Sequence, residues 1–282
     1  MNRVIINADD FGIHTEVNRA VIAAHEQGLL LSTSLLASGP AFDDAVALAR
    51  QYPGLGIGIH LCLVGSLPTV LPPKDVSTLV DDEGLLPESY VPLMKRILAG
   101  HVDWEQVYNE LDCQMEKIMS TGLPITHVDS HQHMHMLPSI WKIVQALMKK
   151  YGLHRLRVPR ESYTFKLMSA HPGRIAGRDG LTFLSNKAMA DVRRLHFTTT
   201  DYFWGMVDGG NMTEANLAYI LRHMPFGVHE IMMHPGRSTA ALSQVFSWGY
   251  HWEDELQALL SPRIRQLMEE RKIEPIHYGM LP

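Results

Sequence analysis

The chain has 282 residues, of which 46% are hydrophobic and 20% charged; this excludes a disordered or fibrous protein and leaves room for a substantial core. Its net charge of -5 comes from 25 basic and 30 acidic residues that are well mixed, so no basic stripe marks it for nucleic acid. No apolar run reaches the ~18–20 residues of a membrane helix, and Met1 to Asn7 lacks the apolar core and cleavage site of a signal peptide, so the expected location is cytoplasmic.

In chain order, Val4–Ala8 reads as a buried strand. A helix over Thr15–Gln27 follows, with Val17, Ala20, Val21 and Ala24 on one face and Gly28 past its end. A strand over Leu29–Leu36, a helix over Phe42–Gln51 and a strand over Leu55–Leu63 come next. After a Pro-rich interlude at 66–92, a helix is expected near Trp104–Thr121, then a strand over Ile125–His133. Pro138 opens a helix running to Lys150, where proline suits the first turn. His154–Pro159 reads as a strand, and the 173–205 stretch as short strands at Thr182–Leu184 and Leu195–Thr198 around a short helix. A helix over Thr213–His223, a strand over Gly227–Met233, a long helix over Glu253–Arg271 and a closing strand at Ile273–Tyr278 complete the pattern.

Repeated strand–helix units imply parallel strands with right-handed crossovers. About seven such strands predict an α/β fold, an irregular (β/α) barrel in one catalytic domain over 1–282, with the insertion at 66–92 as a lid over its mouth. No glycine-rich phosphate loop follows a strand, which argues against a dinucleotide fold.

Active sites of such folds lie at the carboxyl ends of the strands. Asp9 and Asp10 follow the first strand, His60 ends the third, and the fourth runs into His127-Val128-Asp129-Ser130-His131-Gln132-His133-Met134-His135. His234 ends a later strand, before Pro235-Gly236. Each feature alone has an ordinary reading, as a turn, a cap or a core histidine; their convergence on one end is what points to a site. The five alternate residues from His127 to His135 would share one face of an extended strand, but the first and last would lie roughly 26 Å apart, too far for one ion.

Two histidines and a carboxylate form a hydrolytic metal set with open positions for water. Zinc and magnesium lead the candidates, with manganese, cobalt or iron also compatible, although magnesium prefers more oxygen. Consecutive aspartates in a strand cannot easily point the same way, so one would be a ligand and the other a base, with spacing silent on which. Non-haem iron oxygenases use a similar ligand set, but normally on an all-β barrel. A metal-dependent amidohydrolase, a phosphoesterase and a non-catalytic sugar-binding protein are the other readings.

Cys62 and Cys113 are expected as small buried hydrophobes, with no disulfide framework. Trp141 is assigned to the core, while Trp204, Trp248 and Trp252 divide between core and a sugar-stacking surface.

Asn7-Ala8-Asp9-Asp10-Phe11-Gly12, Gly58-Ile59-His60-Leu61, the run Thr126 to His135, and Met233-His234-Pro235-Gly236 together resemble the YdjC-like carbohydrate deacetylases. That family includes chitooligosaccharide deacetylases and a hopanoid-biosynthesis-associated branch. The resemblance implies a polysaccharide-deacetylase-like barrel with one divalent metal, which removes an N-acetyl group from an amino sugar or short oligosaccharide by metal-activated water. By motif position it implies Asp10, His60 and His131 as metal ligands, Asp9 as general base and His234 as general acid. Arg157 would orient the site or bind substrate, with Asp129, His127 and His133 in supporting positions. The implied partner is a small N-acetylated sugar, and a homodimer is compatible with the sequence.

Overall fold

The computed structural model describes residues 1–161 and 172–282. Seven parallel strands form one curled sheet: β1 (Arg3–Phe11), β2 (Ser32–Leu35), β3 (Gly56–Leu61), β4 (Ile125–Ser130), β5 (Tyr202–Trp204), β6 (Val228–Met233) and β7 (Glu274–Pro275). Their order is β4-β3-β2-β1-β6-β5, with β7 beside the start of β1. The helices are α1 (Thr15–Glu26), α2 (Phe42–Gln51), α3 (Tyr90–Leu98), α4 (Trp104–Met119), α5 (Pro138–Lys150), α6 (Pro172–Arg194), α7 (Glu214–His223), α8 (Thr239–Leu242), α9 (Trp252–Leu260) and α10 (Pro262–Glu270).

Parallel strands covered on both faces bury nearly every residue, and β1 is buried from Val4 to Phe11. The gap between β4 and β5 is spanned by the extended segment 154–161. Val128 donates to the Arg155 carbonyl at 3.0 Å, Arg157 returns a bond to Val128 at 3.0 Å, and Glu161 is bridged to Phe203. The strand expected at His154–Pro159 therefore exists as isolated bridges that close the barrel irregularly, rather than as a full ladder.

Further expectations change, among them the strand at Leu195–Thr198, which is a turn with one isolated bridge from Thr198 to Arg155. Thr182–Leu184 is not a strand but lies inside α6, because Ser185, Ala188 and Val192 recur at helical spacing and are all buried. The long helix over Glu253–Arg271 is two helices, broken where Pro262 cannot continue α9 and starts α10 instead, with the Ser261 hydroxyl capping Ile264 N at 3.3 Å. The fourth strand stops at Ser130: His131–Met136 is a tight turn in which Gln132 (φ 49°) and His133 (φ 57°) are both left-handed. The shared parity of the histidine run is lost there, and its members face in different directions.

The 66–92 insertion packs onto α4. The Glu110 carboxylate accepts Val70 N at 2.8 Å and Leu71 N at 3.0 Å, and Val76, Leu79 and Leu86 are buried. Its ends, Ser66 to Pro68 and Glu88–Ser89, line a cavity at the mouth of the barrel.

Gly58 permits close packing between β3 and β4, since a Cβ there would fall 2.3 Å from the buried His127 ring. Gly58→Ala should therefore destabilise the protein by about 1–3 kcal/mol, the cost of overpacking a filled core. Urea denaturation with an unchanged m-value would measure it.

Candidate metal centre

Strand register brings the motifs together. His60 pairs with Asp129 across β3 and β4, and Ala8 pairs with Met233 across β1 and β6, which sets the next residues, Asp9 and His234, at one level. The ladder between β1 and β2 shifts between Ala8 and Phe11, and Asp10 adopts φ 65°. This bulge re-aims consecutive side chains, so both aspartates serve the site although a regular strand would send them to opposite faces.

Asp10 Oδ1 lies 3.2 Å from His60 Nε2 and 3.0 Å from His131 Nδ1, and all three residues are buried. One atom from each lies within 4.8 Å of the others. His60 Nδ1 donates to Asp129 Oδ1 at 2.7 Å, which leaves Nε2 to face Asp10. Asp9, His60 and Asp129 also cluster, but Asp9 and Asp129 are already committed to a guanidinium.

That guanidinium is Arg157, fully buried. Nη1 and Nη2 reach the two oxygens of Asp9 at 2.6 and 2.7 Å, Nη2 also reaches Asp129 at 3.0 Å, and Nε donates to Glu230 at 2.8 Å. Asn7 adds a bond to Asp9 at 2.8 Å, the Ser34 hydroxyl donates to Asp129 at 2.6 Å, and Tyr278 OH donates to Glu230 at 2.5 Å. Burial opposes the charge on Arg157, but Asp129, Asp9 and Glu230 hold it well above the ordinary arginine range.

The charges show what else the site can hold. Burial pushes the Glu230 carboxyl up to about 7, against the pull of Arg157. Burial would also raise Asp10, but His131 and His60 hold it well below the usual carboxylate range. Asp129 is likewise lowered, burial being outweighed by Arg157 and His60. His60, despite burial, is driven up to about 10 by Asp129 and Asp10, so a proton is strongly held where the ring meets Asp10. Asp9, Asp10 and Asp129 thus converge on Arg157 and the His60 ring, with a carboxylate oxygen and two imidazoles of the Asp10–His60–His131 group within 4.8 Å of one another. Two imidazole nitrogens and a carboxylate oxygen are a fitting donor set for a divalent ion.

The other histidines divide. His127 stacks on Tyr278 at 4.1 Å behind Asp129, bonded at Nδ1 to the Thr126 hydroxyl at 2.9 Å, and burial lowers it to about 4. His135 donates from Nε2 to the Arg157 carbonyl at 3.0 Å and is also lowered by burial to about 4. Both are neutral props. His133 meets Phe203 edge-on at 5.5 Å, with its buried Nδ1 unpartnered, and lines the cavity beside the site. His234 lines that cavity with Asp9 and His131; its ring lies 4.7 Å from Tyr250, its Nδ1 is unpartnered, and its backbone N–H donates to Glu255.

The sequence reading passed over Glu230, Glu255 and Ser34. An acid between His229 and Ile231-Met232-Met233 in an apolar strand was a legible signal for Glu230, and Glu255 was hidden by an ordinary acidic first turn. Trp141, Trp204 and Trp252 are core residues, while half-buried Trp248 packs 4.8 Å from His131. Cys62 is buried and Cys113 partly so, both free.

Residues 3–270 match the family of YdjC-like proteins. The chain belongs to that family. Among curated relatives, a carbohydrate deacetylase of Brevibacillus brevis is 31% identical over 99% of both chains, and one of Vibrio campbellii is 30% identical over 99% of this chain and 96% of its own. A crystal structure from Enterococcus faecalis V583, provisionally assigned to cellobiose-phosphate cleavage, superposes with a TM-score of 0.77 at 29% identity and covers 99% of this chain and 98% of its own. No helix among the described residues is long and apolar enough to cross a membrane.

Replacing Arg157 with Met should destabilise the protein by at least about 3 kcal/mol, because three buried carboxylates lose the guanidinium they share. The Glu230 carboxyl gives a separate pH signature. Its folded pKa of about 7 lies above the ordinary 4.5, so its stabilising contribution is complete below pH 4.5 and is lost as pH rises towards 7. Wild type should lose on the order of 3 kcal/mol relative to Glu230→Gln across that window. Parallel denaturant titrations of the two proteins would read the difference.

Proposed function

We propose that this chain is a metal-dependent carbohydrate deacetylase, which hydrolyses the N-acetyl amide of an amino sugar. One observation carries the reading: the buried Asp10–His60–His131 group, whose ligand atoms lie within 4.8 Å of one another, sits beside an aspartate fixed by Arg157 and a histidine lining the adjoining cavity. Near-full-length relatives named carbohydrate deacetylase supply the substrate class.

Asp10, His60 and His131 would hold the ion, with His60 oriented through Asp129. When bound, a divalent ion polarises an amide carbonyl and acidifies a water molecule. Asp9 takes the proton of the attacking water, its two oxygens held in place by Arg157 and Asn7. His234 delivers a proton to the departing nitrogen, since an amide anion is a very poor leaving group. Glu255 anchors the His234 main chain and Tyr250 packs against its ring. Burial of Asp9, Asp10 and His60 below 4% exposure excludes bulk water and strengthens each charge interaction. Zinc suits the nitrogen-rich donor set better than magnesium.

Asp9→Asn should keep one equivalent of metal while acetate release falls by at least about 10²-fold, as expected for loss of a general base. Metal analysis and an acetate-release assay on N-acetylated mono- and disaccharides would check both. His234→Ala should also slow turnover without emptying the site, whereas His60→Ala should lose metal and activity together. Chelation should abolish acetate release, and added zinc should restore it; turnover that survives complete metal removal would refute the reading.

A further inference from the structure

Among the described residues, three buried histidines hold a ring nitrogen without a hydrogen-bond partner: His131 Nε2, His133 Nδ1 and His234 Nδ1. All three line one cavity of about 720 Å³, together with Asp9. The deacetylase reading accounts for two of them, since His131 would hold the ion and His234 would protonate the departing nitrogen. It gives His133 no task.

His133 is placed for one. It is only 7% exposed, its ring stands edge-on to Phe203 at 5.5 Å, and its backbone sits at φ 57°. Left-handed backbone is uncommon outside glycine, and a buried nitrogen without a partner has given up its bonds to water. Two unfavourable features thus meet at one residue. The turn that carries it is pinned on both sides: Gln132 Oε1 accepts Tyr90 N–H at 2.9 Å, and His135 Nε2 donates to the Arg157 carbonyl at 3.0 Å.

Around His133 the cavity presents polar and apolar groups together. Ser89, Tyr90, Gln132 and Arg178 share the wall with Met94 and Met134. Such a mixture suits a sugar, whose C–H faces alternate with hydroxyls. A hydroxyl both donates and accepts, so it satisfies the free ring nitrogen in either tautomer.

We propose that His133 is a specificity-determining contact of this enzyme: its Nδ1 hydrogen-bonds one hydroxyl of the amino sugar, whose ring occupies this cavity while the acetamide lies at the Asp10–His60–His131 group. The proposal rests on the deacetylase reading of the same site and names the part of the substrate that His133 reads.

The test uses the zinc-loaded full chain and follows acetate release from N-acetylglucosamine and its β-1,4-linked dimer, each beside analogues that lack a single hydroxyl. In the wild type one of these analogues should fall by about tenfold or more in kcat/KM, because the missing hydroxyl leaves the buried nitrogen unpaired. His133→Leu should lower kcat/KM for the parent sugar by a similar factor, keep one equivalent of metal, and lose nothing further on that analogue. The other analogues should keep their wild-type ratios. Asparagine accepts left-handed backbone but is shorter, so His133→Asn should also bring the ratio of parent to analogue towards one; it carries the same comparison should His133→Leu fail to fold. A wild type that singles out no hydroxyl, or a ratio unchanged in the variants, overturns the proposal and leaves the deacetylase reading intact. Loss of metal from the folded His133→Leu protein makes His133 a ligand and overturns it as well. No acetate from either parent sugar overturns both.

Discussion

Among the described residues, the Arg157 guanidinium is the one permanent cation paired with Asp9, Asp129 and Glu230, and the site depends on its position. Through Asp9 it fixes the proposed base. Through Asp129 it fixes the residue that orients His60, and through Glu230 it reaches across to β6 and Tyr278. A buried network of this kind is worth most when every member is satisfied, and here each Arg157 nitrogen has a carboxylate partner. Arginine suits the position because its planar fork bonds both oxygens of Asp9 and still reaches two further acids, Asp129 and Glu230, which a lysine ammonium cannot do.

The barrel supplies this arginine from an unexpected place. Segment 154–161 joins the sheet only through isolated bridges, yet it carries Arg157 into the middle of the molecule. The weakest part of the ladder therefore holds the strongest electrostatic group. Two further departures from regularity serve the site similarly: the bulge at Asp9–Asp10, and the left-handed pair Gln132–His133 that turns the chain directly after His131.

Those departures also mark where the sequence ceased to be legible. The α2 and α5 boundaries were read to the residue, because apolar periodicity and Pro138 define them locally. The convergence of Asp10, His60 and His131 was legible from strand ends and family motifs, since parallel sheets align those ends. The division among the five alternate histidines was not. It depends on β4 ending at Ser130 and on two non-glycine residues accepting positive φ, which the surrounding structure imposes and local preference opposes. The α6 helix was missed because Thr182-Phe183-Leu184 favours strand locally, while its burial pattern is set by distant packing.

The partners in the site are far apart along the chain. Arg157 and Asp9 are separated by 148 positions, His131 and Asp10 by 121, and His60 and Asp129 by 69. Contacts of such long range are slow to form, because loop closure must precede any gain from them. Both aspartates stand on the first strand, but Asp9 meets its Arg157 partner only across 148 positions and Asp10 meets His131 across 121. A competent metal site is thus a product of completed folding and cannot act as its seed, and the acidic pair lacks these two partners until the barrel closes.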